Sequence, residues 1–327
     1  MSEPLLTLEH VNRTFMVKGQ TIKAVDDINL NIQAGEVLCL VGESGCGKTT
    51  TGKMISGLLP TSSVRILYRG KDISTITNKD RKEYRLGVQM VHQDPYASLN
   101  PVQTIYQILA APLQHHRFTR GETETKRRVR ELLELVDLTP PDDFLEKYPH
   151  QLSGGQRQRV SVARALTVLP QFIVADEAVS MVDVSIRISL LKMFTRLKDE
   201  MGVGVLLITH DLALAKYFAW EGRIGVMYLG RLVEIGSARE VIDHPQHPYT
   251  QVLLSAIPEP DPDATRAKQR IELRSADMPS LLQLPTGCTF HPRCPAFIGE
   301  ICEKVIPPLE KANWGSDVAC HLVTNES

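Results

Sequence analysis

Long apolar runs are absent from this chain of 327 residues. No stretch reaches the about 18 apolar residues that a helix needs to cross a bilayer. Residues 1–7 also lack the basic-then-apolar pattern of an export signal. We therefore expect a protein that stays in the cytosol and has no membrane span of its own.

An excess of one charge is absent as well. The 37 Lys and Arg residues nearly balance the 38 Asp and Glu residues, so the net charge is −1. A protein with this balance has no overall field that attracts nucleic acid or an anionic membrane surface. We expect any such contact to be local.

Cysteine is scarce over most of the chain. Only Cys39 and Cys46 precede residue 287, and four more cysteines follow it. Structural disulfides are rare in the cytosol, so these residues favour metal binding or an incidental role. The length predicts about two domains and a sizeable core.

A glycine-rich motif of the form G-x-x-x-x-G-K-[ST] is the strongest pattern in the chain. It consists of Gly42, Glu43, Ser44, Gly45, Cys46, Gly47, Lys48 and Thr49. An apolar strand is predicted before it over 36–41, and a helix after it over 50–59. Glycines let successive backbone N–H groups and the positive end of the helix point at one anion. The alternative is a glycine-rich turn before an ordinary helix.

The anion that suits this loop is a nucleotide triphosphate. Lys48 would reach the β- and γ-phosphates, and the Thr49 hydroxyl would bind the Mg²⁺ that bridges them. Thr50 belongs to the same predicted contact with the nucleotide. The motif therefore predicts an ATP-type site with Mg²⁺.

Polar residues follow three other predicted strands: Gln93, the pair Asp176 and Glu177, and His210. In open α/β sheets the ligand site lies beyond the carboxyl ends of the strands, so we expect these residues beside the phosphate loop. Asp176 would hold Mg²⁺ through water, and Glu177 would polarise the attacking water. Gln93 would bond to Mg²⁺ or to that water. Standing alone, Gln93 could be a surface glutamine and His210 a structural histidine.

Two further candidates for the nucleotide site lie elsewhere. A short polar motif, Ser153, Gly154, Gly155 and Gln156, precedes a helix predicted over 157–166. A serine and glycines before a helix can bind an anion, although alone they would only cap the helix. Phe15 could stack on an adenine ring or be a core or hairpin aromatic.

The chain as a whole is predicted to be an α/β protein. Alternating residues predict half-buried strands over 5–11 and 24–32 that form an antiparallel edge. Helical periodicity over 104–139 predicts a helical insertion. Pro95 is expected to stop the strand before it and to start a loop.

The end of the chain predicts a small accessory segment. Pro258, Pro260 and Pro262 predict an extended linker, which we expect to separate residues 263–327 from the ATP site. This segment has too little apolar content for a large core and needs a staple.

Four cysteines supply a candidate staple. Cys288, Cys294, Cys302 and Cys320 follow the spacing C-x5-C-x7-C-x17-C. The alternatives are unrelated thiols, two disulfides, a zinc ion and an iron–sulfur cluster. Zinc sites usually draw on tight C-x2-C to C-x4-C pairs, so the wider spacing favours a [4Fe–4S] cluster, with zinc as the rival.

In their order, these motifs resemble the ATP-binding subunit of ABC transporters. The residues that carry the resemblance are Phe15, the loop 42–49, Gln93, the LSGGQ sequence 152–156, Asp176, Glu177, Asp183 and His210. The resemblance implies a P-loop NTPase core of the RecA-like type, with an antiparallel β edge and a helical subdomain at about 101–168. The ATPase domain would span 1–243, and a cysteine-containing extension 244–327.

Other segments resemble the dipeptide and oligopeptide importer branch of that family. They are Gln93-Asp94-Pro95-Tyr96-Ala97-Ser98-Leu99-Asn100-Pro101, His247-Pro248-Tyr249, Gly287-Cys288 and His291-Pro292-Arg293-Cys294-Pro295. This implies an ATPase at the cytoplasmic face of the cell membrane that powers import of peptides or a related solute. Some members of the branch carry a [4Fe–4S] cluster.

The resemblance also implies partners. Two ATPase subunits, identical or different, would sandwich two nucleotides, each between one subunit's phosphate loop and the other's Ser153–Gln156 motif. Two transmembrane permease subunits would bind the pair, and an external solute-binding protein would act indirectly. Nucleic acid is not expected as a partner.

Two features qualify the resemblance. Ala178 stands where the family commonly has proline, which we expect to free the backbone after Glu177. The alternative function is an ATPase of DNA repair or chromosome maintenance, which shares the ATP motifs. Such proteins commonly carry a long coiled coil, but no sustained heptads lie between Lys48 and Ser153, and there is no basic stripe. A second alternative is a translation-associated ATPase. Such a protein would normally carry two ATP-binding cassettes in one chain, and this chain has one.

Overall fold

The computed structural model describes residues 3–17, 19–257 and 270–324. Its strands, in chain order, are β1 (Leu6–Val17), β2 (Gln20–Ile32), β3 (Val37–Val41), β4 (Ser63–Tyr68), β5 (Lys71–Asp72), β6 (Val88–Val91), β7 (Phe172–Asp176), β8 (Gly204–Thr209), β9 (Arg223–Tyr228), β10 (Arg231–Ser237), β11 (Glu310–Lys311) and β12 (Asp317–Val318). The prolines of the predicted linker, Pro258, Pro260 and Pro262, lie outside the described residues.

The helices alternate with most of these strands. They are α1 (Lys48–Ile55), α2 (Asn78–Gly87), α3 (Pro95–Ser98), α4 (Ile105–His115), α5 (Glu122–Leu135), α6 (Asp142–Leu145), α7 (Gly154–Leu166), α8 (Val184–Met201), α9 (Leu212–Phe218), α10 (Ala238–Asp243), α11 (Pro248–Ser255), α12 (Glu300–Lys304) and α13 (His321–Thr324). Within the described residues, none of them combines the length and apolar character that a bilayer crossing demands.

Two sheets organise the fold. The larger has the order β11-β12-β10-β9-β3-β8-β7-β6, and its central strands β9, β3, β8, β7 and β6 are parallel. Strands β3, β7 and β8 are buried along their whole length, as is typical of parallel strands covered on both faces. Their carboxyl ends therefore meet at one edge of the sheet.

The smaller sheet confirms the predicted antiparallel edge. Its order is β2-β1-β4-β5, and β1 pairs antiparallel with both neighbours. The strands are longer than predicted, because the hairpin of β1 and β2 continues to Val17 and Gln20. This extension places Phe15 within the hairpin, opposite Ile22.

Helices α4 to α7 form the predicted helical insertion. Thr104 begins α4 with a capping box in which its side chain and that of Gln107 bond to each other's backbone N–H. The apolar faces of α4, α5 and α7 are buried together, including Leu109, Leu132 and Val160. The insertion therefore packs through these faces into the main hydrophobic core.

Several element boundaries differ from the predictions. The loop expected at Pro95 is wrong, because Asp94 caps α3 and Pro95 occupies its first turn. Helix α7 begins at Gly154, earlier than expected, so the Ser153–Gln156 motif is itself the start of the helix. Helix α9 and strand β9 were not predicted.

The segment 270–324 packs against the large sheet. Strand β12 pairs with β10, and β11 pairs with β12. The Phe290 ring lies 5.1 Å from the Tyr228 ring and 5.2 Å from the Tyr249 ring, between centroids. Phe290 and Cys294 thereby join the main hydrophobic core.

Candidate nucleotide-binding and hydrolysis site

The phosphate loop connects β3 to α1, and its three glycines Gly42, Gly45 and Gly47 all have positive φ. Gly42 has φ 151° and Gly47 has φ 105°. A Cβ atom on Gly42 would collide with the Met227 carbonyl, and one on Gly47 with the Ala24 carbonyl. Only glycine fits at these positions, so the fold itself requires the first and last glycines of the motif.

The Lys48 side chain folds back over this loop and is only 4% exposed. Its Nζ donates to the Gly42 carbonyl at 2.7 Å and to the Glu43 carbonyl at 2.9 Å, and lies 3.6 Å from the Cys46 sulfur. These bonds hold the ammonium inside the curve of the loop. The structure thus places Lys48 where an anion bound by the loop would meet a positive charge.

Thr49 and Asp176 come together from α1 and the end of β7. The Thr49 hydroxyl donates to Asp176 Oδ1 at 2.8 Å. Burial raises the pKa of Asp176, an effect that the Thr49 hydrogen bond opposes. Hydroxyl and carboxylate oxygens are the ligands that Mg²⁺ prefers, so this pair fits the predicted ion.

Glu177 lies between two residues from neighbouring strand ends. Gln93 Nε2 donates to Glu177 Oε2 at 2.8 Å, and His210 Nδ1 lies 3.4 Å from Glu177 Oε1. The predicted meeting of these residues at one sheet edge is confirmed. Gln93 and His210 are both exposed, so solvent reaches the cluster.

The backbone at Glu177 has an uncommon conformation. Its φ is 45°, in the left-handed region that non-glycine residues rarely adopt. The Glu177 N–H donates to the Ile208 carbonyl at 3.0 Å, and the Ser180 hydroxyl donates to the Glu177 carbonyl at 2.8 Å. These bonds hold the turn after Glu177 although Ala178 replaces the usual proline. Such conformations cluster at functional sites.

The Ser153–Gln156 motif forms a capping box. Ser153 Oγ accepts from the Gln156 N–H at 3.2 Å, and Gln156 Oε1 accepts from the Ser153 N–H at 2.9 Å. Phe15 is half-buried, and the Arg13 guanidinium lies 4.8 Å from its ring centre. The Ser153–Gln156 motif and Phe15 therefore each contact residues of their own chain outside the phosphate loop.

Comparisons with known proteins bear on this site. Residues 25–180 match the sequence profile of the "ABC transporter" family, and residues 233–302 match that of the "Oligopeptide/dipeptide transporter, C-terminal region". The oligopeptide transport ATP-binding protein AppF of Bacillus subtilis is 41% identical over 329 aligned positions, which cover 98% of each chain. The chain belongs to the ABC transporter ATP-binding proteins.

Solved structures support the same fold. The cbiO1 subunit of the Clostridium perfringens ABC transporter complex cbiONQ has a TM-score of 0.64 at 27% identity, covering 74% of this chain and 92% of that one. The dimeric ATP-binding cassette MJ0796, solved with ADP and phosphate, has a TM-score of 0.64 at 28% identity, covering 72% and 99%. The fold is thus that of an ABC ATPase.

In this ABC ATPase, the segment after residue 270 touches the phosphate loop. Arg293 Nη1 donates to Glu43 Oε2 at 2.8 Å, and Nη2 donates to Glu43 Oε1 at 3.1 Å. The Tyr249 hydroxyl accepts from the Glu43 N–H at 3.0 Å. The expectation that this segment is separated from the ATP site is therefore wrong.

Sequence reasoning missed the roles of Tyr249 and Arg293. Both stand in motifs that were recognised only as markers of the importer branch. The sequence signal that could have identified these contacts is the chemistry of the side chains. A guanidinium and a carboxylate within motifs of the same chain can form a bidentate pair. Nothing in the spacing indicated that they would meet.

Two of the four tail cysteines are joined through the backbone. The Cys288 N–H donates to the Cys302 carbonyl at 2.9 Å. Burial is the main cause that raises the pKa of Cys288 to about 12, and charge repulsion from Cys320, Cys294 and Cys302 contributes to the same rise. Burial likewise raises the pKa of Cys294 to about 11.

The histidines next to these cysteines bond to the backbone. His291 Nδ1 lies 2.9 Å from the Cys288 carbonyl oxygen, and His321 Nε2 lies 2.9 Å from the Val305 carbonyl oxygen. Across residues 3–17, 19–257 and 270–324, no three His, Cys, Asp or Glu side chains are arranged to hold a metal ion.

Proposed function

We propose that this chain is the ATP-hydrolysing subunit that powers import of peptides or a related solute across the cytoplasmic membrane. The observation that carries the hydrolysis is the meeting of Gln93, Glu177 and His210 beside the Thr49–Asp176 pair. Peptide import is supported by the match of residues 233–302 and by the oligopeptide transport function named for AppF.

We assign nucleotide binding to the phosphate loop and its surroundings. The residues are Phe15, Gly42, Glu43, Ser44, Gly45, Cys46, Gly47, Lys48, Thr49, Thr50, Gln93, Asp176, Ser153, Gly154, Gly155 and Gln156. Thr49, Gln93 and Asp176 would hold Mg²⁺, which supplies charge neutralisation at the β- and γ-phosphates. Phe15 would stack on the adenine.

We assign general base catalysis to Glu177. Its carboxylate would accept a proton from the water that attacks the γ-phosphate, while Gln93 and His210 hold the carboxylate and the water in place. The hydrogen bond from Gln93 to Oε2 and the 3.4 Å approach of His210 to Oε1 leave each oxygen with one neighbour. A carboxylate oxygen can accept a further bond, so a water can join without displacing either residue.

We infer that Ser153 acts on a nucleotide held by a second subunit. In the capping box the Ser153 oxygen accepts a bond from Gln156, which leaves the hydroxyl proton to be donated elsewhere. Ser153 is exposed, and it lies at the positive end of a helix of 13 residues. A partner's γ-phosphate is an anion that suits this position.

The partners would be a second ABC ATPase subunit, identical or different, and two transmembrane permease subunits. The external solute-binding protein would act indirectly, and the chain would lie at the cytoplasmic face of the membrane. The segment after Gln93, which includes α3, is a candidate docking surface, because Tyr96 is 60% exposed and Val102 is 77% exposed. Motion at Gln93 would pass through this segment to a permease.

We propose that the chain divides into two parts. Residues 1–243 would form the ATPase domain, with the helical subdomain at about 101–168, and 244–327 the extension. We propose that Cys288, Cys294, Cys302 and Cys320 hold a [4Fe–4S] cluster, with zinc as the rival. The wide spacing of the four cysteines supports this assignment.

Co-purification tests the transport function. The chain, tagged and isolated from its native membrane in mild detergent, should bring two integral-membrane permeases and a second ABC ATPase with it. The assembled complex in vesicles should hydrolyse ATP faster when a peptide-loaded binding protein is added. Recovery of DNA-maintenance proteins without any permease would contradict the proposal.

A further inference from the structure

The phosphate loop of this protein is bonded to residues that lie outside the elements of the proposed nucleotide site. Glu43, its second residue, is bonded at three points: its carboxylate to Arg293, its N–H to the Tyr249 hydroxyl, and its carbonyl to Lys48 Nζ. Two of these three partners lie beyond residue 243. The conformation of the loop at Glu43 therefore depends on the C-terminal part of the chain.

The contact between Arg293 and Glu43 is buried and bidentate. The Arg293 side chain is only 7% exposed and that of Glu43 is 30% exposed. Removing one partner from such a pair leaves the other charge buried and unpaired, which is far more disruptive than the loss of an exposed ion pair.

Arg293 is fixed in the turn that joins two of the four cysteines. The His291 N–H donates to the Cys288 carbonyl at 3.0 Å, and the Arg293 N–H donates to the Phe290 carbonyl at 3.0 Å. Cys294 follows Arg293 directly in the sequence. A change in the turn between Cys288 and Cys294 therefore moves the guanidinium relative to Glu43.

We propose that Arg293 is a positioning residue of the ATP site, which makes nucleotide affinity depend on the integrity of the cysteine-bearing segment. The inference rests on the proposed binding of ATP phosphates by the loop 42–49. Arg293 holds Glu43, and Glu43 offers its carbonyl to Lys48, so the tail sets the resting place of the ammonium. Arg293 itself need not touch the nucleotide.

Thermodynamic reciprocity gives the proposal a second consequence. If the tail contact favours the loop shape that binds ATP, ATP must favour the tail contact by the same factor. Bound nucleotide should therefore protect the segment 270–324 from opening. A merely structural Arg293, which stabilises the tail alone, predicts no such effect of ATP.

Equilibrium titration of the full chain with a fluorescent ATP analogue tests the first consequence. Arg293→Gln and Glu43→Gln should each weaken binding by about 3- to 30-fold, the range of couplings carried by single contacts. The double variant should bind as weakly as either single one, because both remove the same contact. Arg293→Lys keeps the charge without the fork and should restore part of the affinity.

Matched variants make the outcome clear. Lys304→Gln removes an exposed lysine of the same segment, whose Nζ lies 2.5 Å from Glu300 Oε2, and should bind like the wild type. If Lys48→Ala also binds like the wild type, the proposed ATP site is wrong. If Lys48→Ala weakens binding while folded Arg293→Gln, Arg293→Lys and Glu43→Gln all retain full affinity, the proposed role of Arg293 is wrong.

Limited proteolysis tests the second consequence. At saturating ATP, cleavage within 270–324 should slow in the wild type and in Lys304→Gln. In Arg293→Gln the same saturation should give little protection of this segment, although cleavage elsewhere in the chain still slows. Equal protection of the segment in the wild type and in Arg293→Gln would overturn the coupling.

Discussion

Glu177 has a different neighbour at each carboxylate oxygen and a backbone conformation that fixes its direction. The Ile208 carbonyl and the Ser180 hydroxyl hold the turn on both sides of it. A carboxylate fixed in this way needs little reorganisation when a water is deprotonated beside it. The phosphate contacts of the loop come from other residues, so binding and hydrolysis can be separated by mutation.

Glu177→Gln should therefore retain ATP binding and lose hydrolysis. The amide keeps the shape of the side chain but cannot accept the proton, which costs about 100-fold or more in rate, roughly 3 kcal/mol. Single-turnover assays measure the loss of hydrolysis, and titration with a fluorescent ATP analogue measures ATP binding. The control is Glu310→Gln, which changes an exposed glutamate of β11. Wild-type hydrolysis in Glu177→Gln would remove Glu177 from the role of base.

Single residues were predictable where the fold forces them together. Gln93, Glu177 and His210 each follow a parallel strand, so their meeting follows from the geometry of such sheets. The pair of Glu43 and Arg293 was not predictable, because 250 positions separate them and no periodicity links them. Such contacts depend on how the tail packs, which no local pattern encodes.

Helix α7 carries the Ser153–Gln156 motif as its own N-terminal cap. The capping box satisfies the N–H groups of Ser153 and Gln156, so the motif is ordered before any nucleotide binds. A preordered helix end can meet a partner's phosphate without losing further chain entropy. This favours a site that is assembled by two rigid surfaces.

Ser153→Arg should act across the dimer. In the assembled complex, it should slow hydrolysis by about 100-fold or more at the site whose phosphate loop belongs to the partner, as expected for loss of a hydrogen-bond donor to the transition state. The chain that carries the change should still bind ATP through Lys48. Ser153→Thr keeps both the hydroxyl and the cap and serves as the control. Full hydrolysis by an isolated monomer would rule out the composite site.

Strand β10 and the start of α11 are joined by a buried carboxylate. Glu234 is fully buried and accepts from the Gln246 N–H and the His247 N–H, each at 3.0 Å. The Ser316 hydroxyl adds a bond at 3.3 Å. This carboxylate therefore links the sheet, the His247-Pro248-Tyr249 motif and the tail.

Glu234→Ala should loosen all three elements. It leaves the buried His247 N–H and the part-buried Gln246 N–H without an acceptor, which should lower the free energy of unfolding by about 2–4 kcal/mol. Denaturant unfolding measures the loss. Glu310→Ala, at an exposed position of β11, should leave the unfolding midpoint unchanged. An unchanged midpoint in Glu234→Ala as well would contradict the linking role.

Elements were predictable where one pattern dominates. The buried apolar run of β7 and the alternation in β1 and β2 gave the right type of strand. Boundaries failed where capping side chains decide them. Asp94 starts α3 at the proline that was expected to begin a loop, and Ser153 starts α7 at glycines that were expected to precede it.

At the scale of the whole molecule, side chains of the segment 270–324 pack against and bond to side chains of the ATPase core. Phe290 packs against Tyr228 and Tyr249, and Arg293 pairs with Glu43. The segment 270–324 has little regular structure among its described residues: two short helices and two strands of two residues each. The order of this segment therefore depends strongly on these contacts.

A [4Fe–4S] cluster at these thiols has a direct signature. Protein purified without oxygen should be brown, contain about four irons and four acid-labile sulfides per chain, and bleach on oxidation. Zinc would leave the protein colourless. Cys46→Ser, which changes a buried thiol outside the tail, should keep the iron. Metal analysis that finds neither iron nor zinc in fresh protein would leave four unrelated thiols.

Cys302→Ser should then affect both ends of the molecule. Ligation staples a segment with little core, so losing one ligand should speed proteolytic cleavage within 270–324. The Cys302 carbonyl accepts from the Cys288 N–H, and the turn from Cys288 to Cys294 carries Arg293. Loosening of this turn should weaken the contact between Arg293 and Glu43 and lower ATP affinity, as in Arg293→Gln. Analogue titration of Cys302→Ser and Arg293→Gln, singly and combined, should give losses that do not add, because both act through one contact. Additive losses would show that the thiols act on the ATP site by another route.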